Sequence, residues 1–350
     1  MVANQRYTGL KSAVKSKKMM MSLMRDKQGY WRHLLALAYA LSAYGLGLWL
    51  MLFTSGLLPL LGSLLLGHGL VIGAYLVHEC THNTLFQDQR HNRWMGEVLG
   101  WLAGAGYGDY RDIRRKHMRH HVDRADVIAY DFRAFLQRHP AWLKLIQALE
   151  WAYIPAVDLL MHGLVLVLPF TLESRRHRRG RVVRQLLIRL ALFALMAWIN
   201  PLAPLYYALG YLFFMHVIRF MDVHQHTYPV VLSLDSREIK QGKSADRAFE
   251  HRNTYSNLFL KHTWLNLLTL NFGYHNAHHL KPTAPWYDLP ALHREAFAGD
   301  DAQVLSMPTL LKSYHRYRVQ RVMHGDEPDT TVGEGDRFIG VLGVSFVTAH

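Results

Sequence analysis

The sequence predicts an all-α integral membrane protein built on four transmembrane helices in two hairpins. Three observations predict it. Half of the 350 residues are hydrophobic, and they cluster in long charge-free runs. A run of about 20 apolar residues is what a helix needs to cross ~30 Å of hydrocarbon. The basic segments all fall between or outside these runs, on one side, giving a formal charge of +14 from 40 Lys and Arg against 26 Asp and Glu. Histidines recur at helical spacing just beyond the hairpins, which makes the polar part a helical cap.

Residues 1–32 form a basic arm, with Arg6, Lys11, Lys15, Lys17, Lys18, Arg25, Lys27 and Arg32. A cationic arm of this kind lies on anionic lipid at the cytoplasmic face. Leu34 to Phe53 and Leu57 to Val77 are the first two spans, 20 and 21 residues joined at Thr54-Ser-Gly56. Trp94 to Tyr107 reads as an interfacial helix. Ile146 to Phe170 is apolar but carries Glu150, Asp158 and His162. A single crossing there would export the arginine run from Arg175 to Arg184, against the positive-inside rule, so an interfacial helix or re-entrant hairpin is expected. Leu186 to Ile199 and Leu202 to Ile218 form the second hairpin around Asn200-Pro201. Both termini then lie inside. The domain plan is a basic arm (1–32), a membrane domain (33–320) and a C-terminal tail (321–350).

Chemistry concentrates in three histidine clusters: His78-Glu-Cys-Thr-His82, His117-Met-Arg-His120-His121 and His275-Asn-Ala-His278-His279. Positions i, i+3 and i+4 share one helix face, so each cluster can present its imidazoles together. The single cysteine, Cys80, excludes an internal disulfide and any Cys-based zinc knuckle or iron–sulfur cluster within one chain. Eight imidazoles are twice what a four-ligand site takes, which points to two metal ions in the cap. Imidazole suits Fe, Zn, Cu and Ni alike. The first cluster also satisfies the His-Glu-x-x-His pattern of zinc proteases. A protease leaves the other two clusters unexplained, and no Asp-Gly follows Asn200-Pro201. A membrane metal transporter would place ionisable ligands within its spans, and these spans are almost free of them.

The three clusters, their order after membrane hairpins, and the run from Asn271 to Pro290 resemble the membrane fatty acid desaturases and hydroxylases. Those enzymes carry three histidine boxes around a non-haem di-iron centre. The resemblance covers about Leu34 to His293, and a desaturase-like fatty acid decarboxylase branch falls within it. It implies metal ligation by His78, His82, His117, His120, His121, His275, His278 and His279. His226 of Asp222-Val-His-Gln-His226 is a ninth ligand, just past the fourth span. Asp222, His224 and Glu250 are candidates to orient the imidazoles. No catalytic residue beyond the metal ligands is implied.

The implied cofactors are two ferrous ions, with O2 as co-substrate and electrons from an external donor. The chain lacks flavin and haem motifs and a cytochrome b5-like His-Pro-Gly-Gly sequence. The implied substrate is a fatty acid or fatty acyl chain, oxidised most simply to a double bond. Hydroxylation and oxidative decarboxylation to a terminal alkene start from the same centre, and the latter needs a cation to hold the carboxylate. The sequence does not identify that cation, although Arg111, Arg219 and Arg252 lie near the boxes or polar loops. Expected partners are the lipid bilayer and a ferredoxin or rubredoxin docked on Arg114, Arg115, Lys116 and Arg119; nucleic acid is not expected. The location implied is a bacterial inner membrane, with the metal site cytoplasmic.

Overall fold

The computed structural model describes residues 22–128, 130–229, 231–234, 246–324 and 332–342. Residues 1–21 of the basic arm and half of the C-terminal tail lie outside the described residues.

Helix α1 (Tyr30–Phe53) and helix α2 (Leu58–Thr81) form the first hairpin. Its turn is made by Gly56 at φ 67°, a left-handed conformation that costs glycine little. After α3 (Gln89–Leu102) comes α4 (Tyr110–Asp123), whose start is fixed by Asp109 accepting from the Arg111 amide at 2.8 Å. Next are α5 (Phe132–Arg138), α6 (Pro140–Trp151) and α7 (Ala156–Thr171). The 3₁₀ turn Glu173–Arg178 leads into α8 (Arg179–Ile199), which pairs with α9 (Ala203–Val223).

Three of the described helical segments are long and apolar enough to cross a membrane: Tyr30–Phe53, Leu58–Thr81 and Glu173–Ile199. The partner of the third, α9, has 21 residues but carries Arg219 and Asp222 toward its C-terminal end. Helix α9 packs directly on α2. A Cβ on Gly67 would sit 2.5 Å from the Gly210 carbonyl oxygen, so the two backbones touch through small residues. The outer turns are tied as well, since Asn200 Nδ2 donates to Met51 O at 2.8 Å.

The stretch that is ambiguous in sequence is broken in two. Its acidic residues have a partner that only the fold supplies. Arg219 on α9 donates to both carboxylate oxygens of Glu150 on α6, at 2.7 Å each, and lies 2.8 Å from Asp158 on α7. All three side chains are largely buried. Two carboxylates and one guanidinium thereby pin the α6–α7 pair to the membrane helices.

The fold differs from the all-α expectation in one respect. Strand β1 (Asp126–Ile128) pairs in parallel with β2 (Val231–Ser233). After α10 (Arg247–Arg252), strand β3 (Ser256–Leu258) pairs with β4 (Val304–Ser306), also in parallel. Three-residue strands are too short to show a period-2 pattern, and their partners lie far away in sequence. Helices α11 (His275–Leu280), α12 (Leu289–Ala296) and α13 (Met307–Arg316) complete the cap. Part of the tail closes onto it: Val332, Phe338 and Leu342 are buried, and the Val341 amide donates to Val223 O at 3.1 Å.

Candidate metal centre

Each histidine cluster sits on a short helical face aimed at the same interior point. His78 lies in the last turn of α2 and His82 caps that helix. His117, His120 and His121 lie on α4, and His275, His278 and His279 open α11. His226 lies just past α9, held in an antiparallel bridge to Thr254. Backbone turns of unusual geometry flank the clusters. Asn83, Arg124, Leu270 and Asn271 all take positive φ, between 45° and 56°. Such conformations cost of order 1–3 kcal/mol and persist where the surroundings impose them.

The approach of the third cluster to β3 depends on Gly273. Its carbonyl accepts from the Asn257 amide at 2.8 Å, and a Cβ there would lie 2.1 Å from Asn257 O.

The nine predicted histidines come together as two adjoining sets. His78, His82, His117 and His278 form one, and His120, His226, His275 and His279 the other; within each, the candidate ligand atoms lie within 4.8 Å of one another. His121 joins the first set, with its Nε2 3.1 Å from Nε2 of both His117 and His278. His82 and His117 bring their Nε2 atoms to 2.7 Å. In the second set His226 Nε2 lies 3.1 Å from that of His120 and 2.7 Å from that of His275, which is 3.1 Å from that of His279.

This donor set fits metal ions. His120 Nδ1–H donates to Ala125 O at 3.0 Å, and His279 Nδ1–H donates to Glu250 Oε1 at 2.9 Å. Each of these rings therefore presents an Nε2 lone pair to its neighbours. Lone pairs packed together repel unless a cation lies between them.

The electrostatics agree. Burial holds His82, His117, His121, His226, His275 and His278 well below the ordinary imidazole range, and neighbouring imidazoles add to the effect. His120 is pushed down to about 3 by burial. His279 is lowered too, with Glu250 opposing. These rings are neutral at physiological pH, the state a metal requires.

Around the rings lies a second layer of polar groups. Glu250 also accepts from Arg124 Nε at 3.1 Å. Glu79 accepts from Thr84 Oγ1 at 2.7 Å and from the Trp286 amide at 3.3 Å, while its Oε1 lies 3.9 Å from His78 Nδ1. A small cavity against the second set is lined by Lys116, Val127, Asp222, Gln225 and Phe272 together with His117, His120, His226 and His275. Burial lowers Lys116 to about 8 and raises Asp126, whose carboxylate is 3.9 Å from His120 Nδ1, to about 7.

The residues read from sequence are thus gathered, with three exceptions in the surrounding roles. His224 is fully buried but faces away, edge-on to Phe220 and Phe338. Lys116 is 2 % exposed, so it cannot contact a docking partner; it lines the small cavity beside the second set instead. Arg219 is committed to Glu150 and Asp158 rather than open to a substrate carboxylate. Sequence reasoning missed Lys116, Arg124 and Gln225 as neighbours of the centre. For Lys116 a signal existed, because it stands four residues before His120 and so shares its inward face. No local pattern marks Arg124.

The sequence model of the fatty acid desaturase family matches residues 55–311. The chain belongs to the fatty acid desaturase family. No curated protein matches it. The matched region contains all nine histidines, helix α2 of the first pair and both helices of the second. Membership makes this desaturase-family chain a membrane oxidoreductase of fatty acyl chains, and its buried histidine sets are of the kind that holds the family's metal.

Proposed function

We propose that the nine histidines hold two iron ions and that the protein uses O2 to introduce a double bond into a fatty acyl chain. The observation that carries this reading is the convergence of nine imidazoles, eight of them buried, in two adjoining sets. When bound, the irons would supply activation of O2 for hydrogen removal from an unactivated carbon. The balance is one O2, two external electrons and two protons, giving two waters and the alkene.

The chain's own residues supply the rest. Phe272 and Val127 present apolar walls beside the rings, and such walls exclude water from the reacting carbon. Glu250 and the Ala125 carbonyl fix two imidazole orientations. Both hairpins are read as crossing the membrane, four spans in all. That topology places termini and histidines on the cytoplasmic face, in a bacterial inner membrane.

Electrons are assigned to an acidic carrier such as a ferredoxin or rubredoxin. A groove of about 670 Å³ supports this, lined by Arg90, Arg93, Arg111, Arg114, Arg115 and Arg119 on α3 and α4. Arg93, Arg111 and Arg119 have acidic partners, whereas Arg114 and Arg115 are held by backbone carbonyls.

A second reading is favoured by Lys116. Its ammonium is buried beside the cavity that His120, His226 and His275 line. A free fatty acid whose carboxylate met Lys116 would give up a hydrogen from C3 and lose CO2 to leave a terminal alkene, with one O2, two external electrons and two protons again ending as two waters.

The test is expression in membranes with iron and a donor system, feeding saturated acids, and analysing lipids and headspace gas. An internal double bond is the expected product. A volatile alkene one carbon shorter selects the second reading. Full activity in His278→Ala overturns the site assignment.

A further inference from the structure

A second cavity, of about 620 Å³, lies on the lipid side of the molecule, away from the arginine groove. One wall is a stripe of α1, Trp31, Leu35 and Tyr39, spaced by four residues and substantially exposed. The facing wall comes from the 3₁₀ turn Thr263–Thr269, which presents Trp264, Leu267 and Leu268. Ile72 of α2 and Leu270 form the buried floor. This open trough has a volume in the range of sites that take a single hydrophobic ligand.

On the four-span reading the cavity reaches below the membrane surface. His68 Nε2 lies 3.1 Å from Leu268 O, and Tyr39 OH lies 2.6 Å from His68 Nδ1. His68 is ten residues before His78 on α2, or about 15 Å below it along the helix axis. The 3₁₀ turn therefore dips to acyl-chain level before climbing to His275.

At the opposite end stands a cation. Arg32 is a seven-residue climb from Tyr39, about 10 Å. Its guanidinium lies 4.7 Å over the Tyr287 ring and 3.9 Å from Asp288, with 41 % of the side chain exposed. Asp26 accepts from the Tyr287 hydroxyl beside it. A guanidinium whose own partner, Asp288, is exposed and only loosely paired can exchange it for the carboxylate of a one-chain amphiphile lying in the apolar trough.

The inner end of the cavity backs onto the metal centre. Asn271 Nδ2 donates to Trp286 O at 3.2 Å, and the Trp286 amide donates to Glu79 Oε2. The next residue, Phe272, sets its ring 5.0 Å from that of His78.

We propose that this cavity is the loading site at which an ionised, unesterified fatty acid enters sideways from the membrane, its carboxylate at Arg32. The proposal rests on the fatty acyl oxidation reading and names its substrate class as the free acid dissolved in the bilayer.

Trp31, Trp264 and Trp286 line the cavity and serve as internal probes. Purified full-length protein in nanodiscs is titrated with a dibrominated fatty acid while tryptophan fluorescence is followed. The expected result is saturable quenching that unbrominated fatty acid reverses. It is lost in the Trp31→Phe, Trp264→Phe, Trp286→Phe triple variant and weakened about fivefold by Arg32→Gln, a change at an exposed position. Equal, non-saturating quenching by brominated phosphatidylcholine would mean bulk lipid alone and overturns the proposal. So does saturation only by a brominated acyl-CoA. The measurement involves no turnover, so its failure leaves the oxidation reading standing, and an inactive enzyme that still binds fatty acid isolates failure of that reading.

Discussion

His279 Nδ1 and Arg124 Nε hold opposite oxygens of Glu250, at 2.9 and 3.1 Å. One carboxylate, on the short helix α10, thus joins the third histidine cluster to the turn that ends α4. Helix α10 is itself fixed by Asp246, which accepts from the Phe249 amide at 2.8 Å. Partners of this kind set the orientation and basicity of a metal-binding imidazole.

Glu250→Gln keeps an acceptor for His279 but loses the charge. Metal affinity should fall about 10- to 100-fold. Competition with a chromophoric chelator measures it; unchanged affinity would mean that Glu250 merely packs.

Arg219 makes a different prediction. Arg219→Met leaves Glu150 and Asp158 buried without their cation, which should cost about 3–5 kcal/mol. Thermal unfolding in detergent reads the loss. Adding Glu150→Leu and Asp158→Asn should recover much of it, because the remaining uncompensated charge is then gone.

The histidines predict an acid limit. Their pKa values in the folded chain lie below the ordinary value of about 6.5, so the unfolded chain binds more protons between those limits. Their contribution to stability is complete above about pH 6.5 and is lost as pH falls toward the folded values, about 3 for His120. Metal retention follows the same direction, because protons compete for the same nitrogens. Desalting at pH 7.5 should leave the bound metal in place, whereas desalting near pH 5 should strip it. Metal analysis of the two samples decides.

Gly273→Ala places a methyl against Asn257 O, a backbone atom that has little room to move. Overpacking of this sort costs about 1–3 kcal/mol, and here it should also displace the third cluster and lower metal content. Gly163→Ala on α7, where a Cβ meets nothing within 4 Å, is the matched control. Equal metal content in the two variants would remove Gly273 from the argument.

Much of this protein was legible in its residues. The apolar runs from Leu34 to Val77 and from Leu186 to Ile218 locate both helix pairs, because hydropathy and helix length are local properties. The histidine spacings likewise place each imidazole on one face of a short helix. Glu150 and Asp158 were misleading on their own, since their partner Arg219 stands more than 60 residues away.

The sequence by itself determined which nitrogens are available, since composition leaves imidazole as the metal-binding chemistry and helical spacing groups it. Only the tertiary structure decided how those nitrogens divide into two sets and which groups surround them. Division depends on where α2, α4, α9 and α11 meet, and that is set by the Gly67–Gly210 contact, the Arg219 ion cluster and the short parallel ladders. The same packing buried Lys116 beside the centre and turned His224 away from it. Side-chain direction is a local matter, but proximity across a fold is a sum over long-range contacts.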